Sequence, residues 1–234
     1  MSYKRIMLKI SGEVLGGSNG GEAGVGIDSN ELFKLCMEIN ALVKAKVQVA
    51  IVVGGGNFWR FRDNKKLKIS RADSDAIGMM ATEMNARLLQ DAMRFLGMKA
   101  TALSPHVAET YSSARGRGLL AGGAVVICGG GTGNPYFTTD SAAALRALEL
   151  DCDVLMKATK VDGVYDSDPV KNKNAKFFEN ISYDEVLKRK LEVMDLNAIV
   201  LAKENGLKVR VFNLRKSGNL LKAVKGKKIG TLIS

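Results

Sequence analysis

The densest chemistry in this chain lies where an apolar segment, Ala124 to Cys128, runs into Gly129-Gly130-Gly131-Thr132-Gly133-Asn134-Pro135-Tyr136-Phe137-Thr138-Thr139-Asp140, with a strong helix former, Ser141 to Glu149, directly after it. Strand, glycine turn and helix N-terminus in that order leave unpaired backbone N–H groups facing an anion. Asp140 at the junction is either the cap of that helix or a carboxylate held at the site, because aspartate favours N-caps and also binds cations. Two further apolar segments end the same way, in Lys9-Ile10-Ser11-Gly12 and in Gly54-Gly55-Gly56-Asn57. Glycine admits positive φ and lets the backbone approach phosphate oxygens closely. In an open α/β sheet ligands sit beyond the carboxyl ends of the strands, so three such turns can converge on one crevice. With Lys9 and Arg60 beside two of the turns, the residues point to a polyphosphate site. Lys9 is hard to read otherwise, since a charge inside an apolar strand needs a partner.

The elements that position these residues follow from periodicity. Short apolar runs bounded by glycine alternate with helical patterns, which is the pattern of a sheet wrapped by helices. Tyr3 to Ile10 reads as the first strand and Val47 to Val53 as the second. Between them Asp28-Ser29-Asn30-Glu31 resembles a capping box, and Leu32, Leu35, Ile39, Leu42 and Val43 recur at helical spacing, which predicts a helix over about 29–46. A long helix is expected from Asp75 to Leu96, with Met79, Met80, Met84, Leu88, Ala92 and Phe95 on a buried face. Further strands are expected at Lys99 to Leu103, Val154 to Lys157, Lys208 to Asn213 and Thr231 to Ile233, and helices near 183–190, 196–205 and 218–224.

Composition bounds what this framework can be. With 234 residues and 46% apolar content the chain can bury one large core, so residues 1–234 are read as a single α/β domain. No window approaches the roughly 20 apolar residues that cross a bilayer, so no membrane role is expected and the chain reads as soluble and cytoplasmic. Cys36, Cys128 and Cys152 are odd in number and widely spaced, which suggests neither a disulfide framework nor a zinc site. The net charge of +11 implies anionic partners without choosing among them. Nucleic acid is the rival partner, from Lys65, Lys66, Lys68, Arg71, the Lys188-Arg189-Lys190 run and the C-terminal lysines. No aromatic stacking platform accompanies these charges, and a primary nucleic-acid role is not expected.

The common nucleotide signatures are missing. No Gly-x-x-x-x-Gly-Lys-Ser/Thr follows a strand and no Gly-x-Gly-x-x-Gly stands in the right context. His106, the sole histidine, has no nucleophile turn to serve and reads as a surface or structural residue.

Lys9-Ile10-Ser11-Gly12-Glu13, Gly54 to Asn57, Gly131 to Asp140, Lys157-Ala158-Thr159-Lys160-Val161-Asp162-Gly163-Val164-Tyr165 and Val193-Met194-Asp195 together resemble the bacterial UMP kinases of the amino acid kinase family, in order and spacing over essentially the whole chain. The resemblance implies an αβα sandwich with a mainly parallel sheet and transfer of the γ-phosphoryl group of Mg-ATP to UMP, with Mg2+ carried by the ATP phosphates rather than by a protein metal site. It implies a homohexamer and UTP feedback inhibition.

Carried over residue by residue, it implies that Lys9, Ser11, Gly12, Gly56 and Arg60 contact the ATP phosphates, and that Thr159, Tyr165 and Asp168 cradle the ATP nucleoside. Gly55 and Asp75 would hold UMP, with Thr132, Gly133, Asn134, Pro135, Tyr136, Phe137, Thr138 and Thr139 wrapping its base and phosphate. Asp195 would orient the catalytic Lys9, Asp140 would support the phosphate or Mg2+ region, and Lys157 would be a secondary cation. The residues alone also allow Asp75 to cap its helix, Asp195 to begin the next one and Asp168-Pro169 to be a turn. The chain departs from the family's usual pattern at Phe61 and Ser74, where glycine is common, in the basic stretch Arg62 to Arg71, and in the glycine-rich stretch Gly16 to Gly26. The resemblance is therefore not carried over to GTP activation, which the sequence leaves open.

Overall fold

The computed structural model describes residues 2–16, 24–61, 67–106 and 109–234. Residues 17–23 of the Gly16–Gly26 stretch and residues 62–66 of the basic Arg62–Arg71 stretch lie outside the described residues.

In chain order the elements are β1 (Arg5–Ile10), α1 (Ser29–Lys44), β2 (Gln48–Val53), α2 (Arg71–Phe95), β3 (Ala100–Ser104), β4 (Glu109–Thr110), α3 (Ser113–Ala121), β5 (Val125–Cys128), α4 (Thr139–Glu149), β6 (Val154–Thr159), β7 (Val164–Tyr165), β8 (Phe177–Phe178), β9 (Asn180–Ile181), α5 (Tyr183–Lys188), α6 (Leu196–Glu204), β10 (Lys208–Asn213), α7 (Asn219–Val224) and β11 (Thr231–Ile233). Among the described residues nine strands form one sheet in the order β4-β3-β5-β2-β1-β6-β10-β11-β9, and β7 and β8 form a separate antiparallel pair. Within the large sheet, among those residues, the β10–β11 pairing alone is antiparallel. Strand β1 sits centrally, between β2 and β6, so the order reverses at the carboxyl end of β1. That is where an α/β sheet opens a crevice for ligand.

Helices cover both faces, which is why the central strands read as unbroken apolar runs rather than alternating ones. Alternation still decides which core each side chain enters. Ile6, Leu8 and Ile10 of β1 pack with α1, α2 and α7, whereas Met7 faces the cluster built on α3, α4, α5 and α6. Lys9 shares the Met7 face, and Lys157 shares the Leu155 face of β6, so both lysines point to the α4 side.

The expected elements form within a few residues of their sequence boundaries. Helix α1 is capped by Asp28, whose carboxylate accepts from the N–H groups of Asn30 and Glu31. Helix α3 was not foreseen: Gly116 and Gly118 each cost about 1 kcal/mol of helix propensity relative to alanine. Tertiary packing overrides that cost, because a Cβ at position 116 would lie 2.5 Å from Leu150.

The buried face of α2 requires a correction. Met80, Met84, Leu88 and Phe95, expected inside, are exposed, and of the stripe named above Ala92 is the one fully buried. The inward face is Ala81, Thr82, Asn85, Ala86, Leu89, Gln90, Ala92 and Met93. The reason is steric. The second glycine turn lies so close to α2 that a Cβ on Gly55 would fall 2.8 Å from Ala81 Cβ and from the Gly78 carbonyl, so only small or amide side chains fit there.

Leu89→Ala and Met93→Ala should each destabilise the protein by about 2–5 kcal/mol in urea unfolding, because both create cavities. A cost below about 1 kcal/mol at both sites would return the buried stripe to the Met80–Met84 side.

Candidate active site

Lys9 and Lys157 are register partners on the adjacent parallel strands β1 and β6. Two ammonium groups on one face of neighbouring strands repel and need a shared counter-charge. The first turn of α4 supplies it: Asp140 Oδ1 lies 2.8 Å from Lys9 Nζ and Oδ2 lies 2.6 Å from Lys157 Nζ. Lys157 Nζ also donates to the Val193 carbonyl at 2.5 Å. All three side chains are largely buried, at 12–14% exposure. Burial disfavours the ionised Asp140, but Lys9 and Lys157 outweigh it and hold its carboxyl below the ordinary range. Burial, offset in part by Asp140, leaves Lys157 below the ordinary lysine value. The cluster carries one net positive charge, which suits an incoming anion.

Asp140 is thus not the cap of α4. Thr138 is: its hydroxyl accepts from the N–H groups of Asp140 and Ser141. The carboxylate paired with Lys9 is Asp140 rather than Asp195, which corrects the expected division of labour between them. Asp195 caps α6 through Ala198 N–H at 3.0 Å and accepts from the hydroxyls of Ser141, at 2.8 Å, and Thr138. Asp195 therefore braces the N-terminus of α4, one step behind the lysines.

The first two glycine turns interlock. Gly12 is obligatory, since a Cβ there would lie 2.4 Å from both Asn57 Oδ1 and the Gly54 carbonyl. Behind it two buried amides exchange hydrogen bonds: Asn57 Nδ2 donates to Asn85 Oδ1 at 3.1 Å, and Asn85 Nδ2 donates to Asn57 Oδ1 at 2.7 Å and to the Gly54 carbonyl at 2.8 Å. Ser11 precedes a short 3-10 turn, Gly12–Val14, and leaves its side chain out of the cap. Arg60 bends back so that Nε donates to the Gly56 carbonyl at 2.7 Å and Nη2 lies 2.8 Å from Glu13 Oε1. Glu13 also pairs with Lys160 at 3.1 Å and so links the first turn, the second turn and the end of β6.

Two cavities flank the lysine–aspartate cluster. One, of about 460 Å3, is lined by Thr159, Gly163, Tyr165, Asp168 and Val193, the residue whose carbonyl holds Lys157. Thr159 spends its hydroxyl on the Val161 carbonyl, Tyr165 stacks edge-on against Phe177, and Asp168 Oδ1 closes a turn on Val170 N–H at 2.9 Å. The other, of about 160 Å3, is lined by Gly55, Asp75, Thr132, Asn134, Phe137, Thr138 and Thr139, and so ends one residue from Asp140. Asp75 is not a helix cap: Ser70 caps α2, and Asp75 instead accepts from Tyr136 N–H at 2.8 Å and from Arg71 Nε at 2.8 Å. It ties α2 to the 129–137 loop, where Gly130, Gly131, Gly133 and Tyr136 all have positive φ. Gly133 and Pro135 belong to this loop without lining the cavity. His106 is exposed, beside Gly133.

Residues absent from the sequence reading include Thr82, whose hydroxyl accepts from Gly130 N–H at 2.9 Å, and Asn85, the partner of Asn57 from the second turn. An amide or hydroxyl on the inward stripe of a helix was the available signal. Among the described residues no group of three or more His, Cys, Asp or Glu could hold a metal. The carboxylate nearest the centre, Asp140, is shared by two lysines. The cysteines are free, and burial pushes the Cys36 and Cys128 thiols up to about 11 and about 12.

Asp140→Asn should destabilise the fold by about 3–5 kcal/mol, because it strands two buried ammonium groups. The pH dependence follows from the lowered Asp140 carboxyl. Its contribution is present above the unfolded value of 3.8 and is lost as pH falls through the lower folded value. Stability curves of wild type and variant should therefore converge below pH 3.8. Curves that stay parallel through the range below pH 3.8 would show that Asp140 is not held ionised by the lysines.

The family model described as the amino acid kinase family matches residues 4–213. The uridylate kinase of Serratia proteamaculans is 46% identical over 236 residues, covering 99% of this chain and 96% of that protein. The uridylate kinase of Pseudomonas aeruginosa is 48% identical over 235 residues, covering 99% and 94%. Among solved structures, the UMP kinase from Bacillus anthracis matches with a TM-score of 0.96 at 33% identity, covering 100% of this chain and 97% of that one. The UMP kinase from Ureaplasma parvum matches at 0.91 and 37%, with both chains fully covered. The chain is thus similar over nearly its whole length, in sequence and in three dimensions, to enzymes of one kind, and it belongs to the amino acid kinase family, among its uridylate kinases.

Proposed function

We propose that this chain transfers the γ-phosphoryl group of Mg-ATP to the phosphate of UMP, giving UDP and ADP for pyrimidine nucleotide synthesis. The observation that carries the reading is the Lys9–Asp140–Lys157 cluster, placed between two cavities at the carboxyl ends of β1 and β6. Both reactants are anions, and two unit charges about 5 Å apart repel by about 3 kcal/mol at an effective dielectric near 20. A net positive, largely buried cluster offsets that repulsion where the phosphates meet. An oxygen of the acceptor phosphate attacks the γ-phosphorus, the bond to the β,γ-bridging oxygen breaks, and ADP leaves. No general base is needed, because a phosphate monoester is already mostly doubly ionised near pH 7. This accounts for a centre without histidine. Alignment of the two phosphates contributes up to about 7–11 kcal/mol.

In this reading Lys9 and Arg60 stabilise charge on the transferring group, Ser11, Gly12 and Gly56 present backbone to the ATP phosphates, and Thr159, Tyr165 and Asp168 cradle the nucleoside. Gly55, Asp75 and the Thr132–Thr139 segment hold UMP. Mg2+, bound to the ATP phosphates, neutralises developing charge. The chain works in the cytoplasm and answers to UTP as a feedback inhibitor. No described helix is long and apolar enough to cross a membrane. It assembles as a homo-oligomer, a hexamer by family resemblance; support for assembly comes from the exposed Met80, Met84, Leu88 and Phe95 on α2 beside Phe33 and Met37 on α1.

Purified protein with Mg-ATP should release ADP with UMP in strong preference to CMP, dUMP, AMP, aspartate, acetylglutamate and carbamate. Turnover only with a carboxylate or carbamate would keep the family and overturn the acceptor. Lys9→Ala should lower kcat about 100- to 1000-fold with the fold intact, since Asp140 keeps Lys157 as partner. Near-normal turnover would remove Lys9 from the chemistry. Met84→Asp should shift the mass measured by light scattering toward that of the 25.2 kDa chain. An unchanged mass would take the α2 face out of the assembly.

A further inference from the structure

Beneath the 129–137 loop lies a guanidinium that none of the roles above uses. Arg146 stands on α4, its side chain 7% exposed. Nη1 donates to Glu149 Oε2 at 2.7 Å, and the guanidinium carbon lies 4.0 Å from the centre of the Tyr111 ring, whose hydroxyl donates to the same Glu149 oxygen at 2.6 Å. Nη2 reaches the Gly131 carbonyl at 3.3 Å and the Thr132 carbonyl at 3.5 Å, while Nε has no partner among the described residues. Desolvating such a charge has to be offset by good geometry and hydrogen bonds. Here the planar fork stacks on one ring, pairs with one carboxylate and faces two carbonyls, which an ammonium group cannot do together.

The two carbonyls matter because of the peptides to which they belong. In a trans peptide C=O and N–H point in opposite directions. Holding the Gly131 carbonyl inward therefore turns the Thr132 N–H outward, on the side where Thr132 lines the smaller cavity. The next peptide is held at both ends: its Thr132 carbonyl faces Arg146, and its Gly133 N–H closes on the Gly130 carbonyl at 3.0 Å.

We propose that Arg146 is a positioning residue for the acceptor, clamping the Gly131 and Thr132 carbonyls so that the loop presents its outward backbone to the acceptor nucleotide. This rests on the reading that the smaller cavity holds that acceptor.

Arg146→Lys keeps the charge and loses the fork. It should raise KM for UMP about tenfold while KM for ATP stays within about twofold. Amide hydrogen exchange should rise about tenfold in a peptide covering 129–137 and stay unchanged in one covering β1. If this variant does not fold, Glu149→Gln, which removes the charge that holds the guanidinium, should give the same split. Equal rises in both KM values, or unchanged KM for UMP with unchanged loop exchange, would overturn the clamp. Wild-type protein inactive with UMP would instead overturn the acceptor reading, and the exchange contrast would then decide the clamp by itself.

Discussion

One buried carboxylate between two buried ammonium groups constrains the rest of the site. Asp140 satisfies Lys9 and Lys157 together only if β1 and β6 are neighbours in one register and α4 begins above them. Removing a charge from water costs several kcal/mol per ion unless geometry repays it, so slippage of either strand would leave an uncompensated charge. Slippage by one residue would also move each lysine to the opposite face of the sheet. Strand register, helix start and charge balance are thus one requirement. Thr138 as cap and Asp195 as brace hold the helix start in place, which frees the Asp140 side chain to face the lysines.

Around that centre the protein works mostly with backbone. The first two glycine turns pack so tightly that side chains are excluded at Gly12 and Gly55, and α2 presents amides and small residues to them. The Asn57–Asn85 pair makes the close approach tolerable by satisfying polar groups that would otherwise be buried unpaired. Pulling small residues inward on α2 turns Met80 and Met84 outward, so the geometry of the turns also leaves an exposed apolar face there.

Much of the framework was legible in the residues. The strands ending in Lys9-Ile10-Ser11-Gly12, Gly54 to Asn57 and Gly129 to Gly133 could be placed because apolar runs and glycine report local conformational preference, and so could a sheet wrapped by helices; the αβα sandwich followed from the family resemblance. The buried face of α2 and helix α3 could not, because each depends on how closely another segment approaches: the second glycine turn for α2, Leu150 for Gly116.

By itself the sequence determined the longer strands and most of the helices, the glycine turns, the anionic character of the ligand and, by resemblance, the kind of enzyme, since all of these depend on local residue order. Tertiary structure alone decided which carboxylate meets Lys9, that Lys157 shares it, and that Arg146 reaches beneath the 129–137 loop. Those partners are brought together by sheet order and strand register, in which Lys9 and Lys157 lie opposite each other although far apart in the chain. Hydrogen bonds and ion pairs act over about 3 Å, so no pattern of spacing along the chain encodes them directly.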